Sequence, residues 1–101
     1  MKTVHKYRLD GSGKIDSFKV REGYRIVHSE YVVTEKAVFV WLEVPLDLSL
    51  PETDLKLRIF RTGEAIPRAY VHLATAVDAF GPEAYHVYRV DADTAQLKKS
   101  A

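Results

Sequence analysis

The apolar side chains of this chain recur at every second residue almost from end to end, and no segment sustains the helical period of about 3.6. That restricts the fold to sheets, because alternation puts one face of a strand in a core and the other in water. In His5-Lys6-Tyr7-Arg8-Leu9 the odd positions are aromatic or apolar and the even ones basic. Ile15 to Val20, Leu55 to Ile59, Tyr70 to Val77 and Ala84 to Val90 repeat the pattern. Tyr24 to Thr34 alternates too, with its better apolar face changing sides near Ser29, which predicts a bulge there. Ala37 to Val44 (AVFVWLEV) is apolar at nearly every position, as expected of a central strand covered on both faces, by its own core and by a further layer or subunit.

Turn chemistry separates these runs. Gly11-Ser12-Gly13 predicts a hairpin, Arg21-Glu22-Gly23 and Thr34-Glu35-Lys36 predict further turns, and Asp78 to Glu83 carries Gly-Pro. Leu46, Leu48 and Leu50 predict that the loop from Pro45 to Pro51 lies over one end of the core. In Arg61 to Pro67 (RTGEAIP), Gly63 supplies a backbone conformation closed to other residues, Ile66 tucks into the core and Pro67 starts the next strand. About seven short strands so spaced predict an all-β fold, a small antiparallel barrel or sandwich. Residues 1–91 form its single domain, and the polar residues 92–101 form a flexible C-terminal tail. A chain of 101 residues buries roughly 65% of its unfolded surface, enough to fold without staples.

Composition narrows the function classes. The formal charge is +1 and the basic residues are dispersed, which argues against a nucleic-acid binder. The absence of cysteine removes thiolate nucleophiles, disulfides and thiolate metal sites, and fits a reducing compartment. The charged start MKTVHKYRLD is not a signal peptide, and no window is apolar enough for a membrane helix, so a cytoplasmic location is expected. His5, His28, His72 and His86 fall on four different strands without metal-ligand spacing, so each is expected to be satisfied by backbone or a tyrosine hydroxyl. No serine has a nucleophile-elbow context, no carboxylate pair suits acid/base work, and Gly11-Ser12-Gly13-Lys14 precedes a strand where a phosphate loop opens a helix. The expectation is no enzyme, no metal and no cofactor.

Tyrosines standing among arginines are the composition of interface hot spots and of stacking platforms. The candidate partner- or ligand-binding residues are Arg61, Glu64, Arg68, Tyr70, Tyr88 and Arg89. They suit a protein partner first. The alternative is a nucleotide signal, held by Arg61, Arg68 or Arg89 at phosphate with a tyrosine stacked on the base, in a sponge-like role. The doubly apolar run from Ala37 to Val44 and open sheet edges also suit a homodimer.

Lys6-Tyr7, Arg25-Ile26-Val27, the Trp41 run, Phe60-Arg61-Thr62-Gly63 with Ile66-Pro67, and His86-Val87-Tyr88 come in an order that resembles a family of short bacteriophage and prophage proteins of unknown function. The resemblance spans Thr3 to Asp91. It implies an all-β fold and a phage-related origin, with no activity to transfer; together with the missing catalytic constellations and the tyrosines among arginines, it leads to the expectation of a host protein as partner. Arg61 stands where that family usually has glycine and Glu64 where it tends to have histidine, so a role of that histidine does not pass to Glu64.

Overall fold

The computed structural model describes residues 1–91; the tail expected over 92–101 lies outside the described residues. Seven strands follow one another: β1 (Lys2–Leu9), β2 (Asp16–Arg21), β3 (Arg25–Val32), β4 (Ala37–Pro45), β5 (Glu52–Arg61), β6 (Val71–Asp78) and β7 (Glu83–Arg89). They form two antiparallel sheets, a smaller one of order β1-β4-β3 and a larger one of order β2-β5-β7-β6. The architecture is a sandwich. Its core is supplied from the smaller sheet by Leu9, Val38, Val40, Leu42 and Val44, and from the larger by Val20, Leu55, Leu57, Ile59, Ala76 and Val87. The alternation seen in the sequence is the alternation of these inward positions.

Three expectations change in detail. Gly11 to Gly13 does not close a hairpin, because β1 and β2 belong to different sheets and the loop arches across the end of the sandwich. Its backbone is held by carboxylates in place of a ladder: Asp16 accepts from the Asp10 amide at 2.8 Å, and Asp10 accepts from the Ser12 amide at 2.8 Å. The bulge in β3 is at Val27, where the register against β4 shifts between Ile26 and His28. Its extra residue moves the inward set from Tyr24 and Ile26 to Ser29 and Tyr31, which is why the apolar face changes parity.

The Pro45 to Pro51 loop does not cap the core. Leu48 is 81% exposed and Leu46 50%, while Leu50 is half-buried. Polar contacts hold this loop along the surface. The Leu46 amide donates to the Met1 carbonyl at 3.0 Å, and the Asp47 carboxylate accepts from the Ser49 amide and hydroxyl at 2.9 and 2.6 Å.

Strand β4 is central, as expected, and both of its faces are buried. Among the described residues the second cover is not another layer. On the outer face Phe39, 8% exposed, lies beneath the Lys6 ammonium at 5.0 Å from its ring and beside Trp41, whose ring is 5.2 Å from that of His28. Long side chains from the flanking strands roof the strand with their apolar stems.

The carboxylates at the ends and edges set the acid response. Asp10 and Asp47 are held below the ordinary aspartate range by hydrogen bonds from Ser12 and Ser49, and Glu43 is held below its own by Lys2 and Arg25. Arg89 does the same to Asp91. A carboxylate whose folded value is depressed contributes stability above its unfolded value and loses it as pH falls through the folded one. The urea midpoint is therefore expected to hold from neutrality down to about pH 4 and to fall steadily below it. A midpoint unchanged at pH 2.5, about one and a half units lower, would contradict this assignment.

Candidate functional site

The RTGEAIP stretch follows directly on β5 and is built as a corner. Glu64 turns its carboxylate back to accept from the Arg61 amide at 2.6 Å, and its own amide donates to the Arg61 carbonyl at 3.1 Å. Gly63 sits at φ 94°, a left-handed conformation that side chains resist. Ile66 is half-buried at the margin, outside the core cluster. Pro67 does not start a strand: its carbonyl accepts from the Tyr70 amide at 3.0 Å, closing one more turn before β6.

This corner faces the Gly11 to Gly13 arch across an open cleft of about 570 Å³, lined by Arg61, Thr62, Glu64 and Glu83. A smaller depression of about 220 Å³ adjoins it and reaches Lys36, Tyr31 and Tyr85. The two tyrosine rings stack at 5.4 Å, and the Arg61 guanidinium lies 5.9 Å from the Tyr85 ring. The cleft carries both signs of charge.

Tyr70 and Tyr88 are elsewhere, on the outer face of the larger sheet. Strand register sets two rows across that face: Arg58, Tyr88 and His72, then Phe60, His86 and Thr75. Phe60 is 2% exposed although it points away from the core. The Arg58 guanidinium lies over its ring at 4.7 Å, Tyr88 meets it edge-on at 5.5 Å, and Tyr70 is 6.1 Å away. Tyr88 in turn packs edge-on against His72 at 5.3 Å.

The histidines of this face are satisfied by threonines, not by backbone or tyrosine. Thr75 Oγ1 lies 2.9 Å from His72 Nε2 and 3.1 Å from His86 Nδ1, and His86 Nε2 lies 2.9 Å from Thr62 Oγ1. The Thr75 hydroxyl has a single proton and can donate to only one of the two ring nitrogens, so at least one of the histidines turns an N–H toward it. Among the described residues no group of three or more His, Cys, Asp or Glu is placed to hold a metal.

Arg68 is exposed on the turn before β6. Arg89 is engaged in a two-pronged ion pair with Asp91, at 2.7 and 2.9 Å, which raises its pKa further and occupies Nε and one terminal nitrogen. Arg58, which is not among the candidate residues that the sequence suggests, is in the opposite condition. Its Nε is buried without a hydrogen-bond partner, and no carboxylate of the described residues pairs with it. The available signal was its position: its same-face neighbours along β5 are Lys56 and Phe60, neither of them an acid.

A third surface lies between the two edge strands β1 and β2. It is a groove of about 210 Å³ whose apolar lining includes Tyr7, Val20, Val44, Leu46 and Leu48. At its rim Lys19 is paired with Asp54 at 3.0 Å, and Arg21 donates to the Leu50 carbonyl at 2.8 Å.

None of the described residues forms a helix that could cross a membrane. In comparisons with known proteins, the model of a domain of unknown function (DUF7352) matches residues 1–98. No curated protein and no solved structure matches.

Proposed function

The chain belongs to that family of unknown function, membership brings no activity with it, and we propose that this is a non-enzymatic interaction protein of phage or prophage origin that binds a protein of its host. The observation that carries the reading is Leu48, 81% exposed beside half-exposed Leu46 along the groove between β1 and β2. Exposed leucines on a groove, flanked by strands with unpaired main-chain edges, suit an extended apolar segment of a partner. Such a segment adds main-chain hydrogen bonds to an edge and places alternate side chains in the groove. The rim cations are already engaged within the chain, so recognition here is apolar rather than electrostatic.

Retention of host-lysate proteins on immobilised wild-type chain, with Leu48→Asp in parallel, tests the reading. Because Leu48 is outside the core, the substitution should shift stability by no more than about 0.5 kcal/mol. Loss of a buried leucine contact together with burial of a charge should weaken binding at least about tenfold. The expected result is a protein retained by the wild type and lost from the variant, with amide-exchange protection on β1 or β2. Equal retention by both chains overturns the groove, and turnover of a metabolite with nothing retained overturns the function.

A further inference from the structure

We propose, independently of the groove, that the outer face of the larger sheet binds a nucleotide, with Arg58 receiving the phosphate and Tyr88, flanked by Tyr70 and His72, receiving the base. The argument starts from the unmatched cation. A guanidinium whose Nε is shut away from water without a partner has given up hydration that no hydrogen bond within the described chain replaces. The stack on Phe60 at 4.7 Å holds the fork in one plane, with its terminal nitrogens left for an anion. A planar, preorganised fork of this kind suits the paired oxygens of a phosphate.

The rest of the ligand follows from what surrounds the fork. Tyr88 is the direct cross-strand neighbour of Arg58, and His72 that of Tyr88, so cation and rings lie in one row across three strands. A ligand matched to that row has one anionic group joined to one flat ring. The threonines fix the orientation of the histidine rings on this face, because both ring nitrogens of His86 and one of His72 are already held. The end cleft is the competing place, since it holds Arg61. There, however, Glu64 and Glu83 line the same space and oppose a phosphate. The sheet face sets no carboxylate in either row.

Calorimetric titration with adenosine monophosphate, and separately with inorganic phosphate and with adenosine, tests the assignment on the whole chain. Binding of the nucleotide is expected, with each fragment at least about tenfold weaker. Arg58→Ala and Tyr88→Ala should each raise Kd at least about tenfold, Arg58→Lys should not restore binding, and Arg61→Ala should leave Kd unchanged. If Arg58→Ala proves unfolded by its melting curve, amide shifts of the wild type on titration decide instead, expected at Arg58, Tyr88 and His72. Shifts confined to Arg61 and Glu64, no binding at millimolar nucleotide, or binding that survives folded Arg58→Ala overturns the proposal. A short oligothymidylate bound more tightly than the mononucleotide, with steep salt dependence, also overturns it, in favour of a single strand.

Discussion

Phe60→Ala is expected to destabilise the chain by about 3–5 kcal/mol, a loss usually reserved for the centre of a core. The ring is on the outside of the sandwich, yet it is 2% exposed beneath Arg58, Tyr70 and Tyr88. Removing it takes away the buried ring and also the floor on which the guanidinium lies. Phe60→Leu, which keeps most of the volume, should cost much less in stability and still loosen Arg58. Urea unfolding at neutral pH measures both. A change below about 1 kcal/mol for the alanine variant would mean that the ring is open to water rather than roofed.

Leu42→Ala is the counterpart in the smaller sheet, with an expected loss of about 2–5 kcal/mol. Leu42 is fully buried in β4 and stands in register between His5 of β1 and Ile26 of β3. Three strands meet at that side chain, so the hole cannot close by a shift of one of them. Against a total stability of about 5–15 kcal/mol, either change consumes much of the margin. In a domain of this size the melting temperature should fall by about 4–8 °C for each kcal/mol lost. A double variant that still folds should show losses that add, since the two sites share no partner.

These positions differ in how far the sequence reveals them. Leu42 sits in a run too apolar for one-sided burial, and that run is the central strand it was expected to be. Gly63 and the turn at Lys36 are legible for the same local reason, that backbone conformation depends on a few neighbouring residues. Phe60 is less so: it breaks the alternation of β5, and only the tertiary structure shows that Tyr70 and Tyr88 arrive to cover it. The sequence of the arch at Gly11 to Gly13 predicts a hairpin, because turn chemistry says that the chain bends, not which sheet it bends into. Hydropathy alone buries Leu46 and Leu48, because it cannot register that the Leu46 amide and the Leu50 carbonyl are held at the surface by the Met1 carbonyl and Arg21.

The arginines teach the same lesson. Residue type nominated Arg61, Arg68 and Arg89 together. Partnership separates them, since Arg89 is satisfied by an aspartate two residues away, while Arg58, passed over as the wet face of a strand, has no counter-ion among the described residues. Whether a cation is spent or available is a property of what the fold brings beside it.

The separation of β1 and β2 into different sheets has a further consequence, for the order in which this chain can form. Strands β3 with β4, and β6 with β7, are sequence neighbours and can pair as soon as both are present. By contrast, β1 must wait for β4 and β2 for β5, with the intervening strands made in between. Closing such distant pairs is entropically costly and slow compared with zipping a hairpin. A chain emerging from the ribosome therefore presents its first two strands unpaired until much of the domain has followed. The groove between them is completed late, so a partner that needs it can recognise only a chain whose two sheets have already come together.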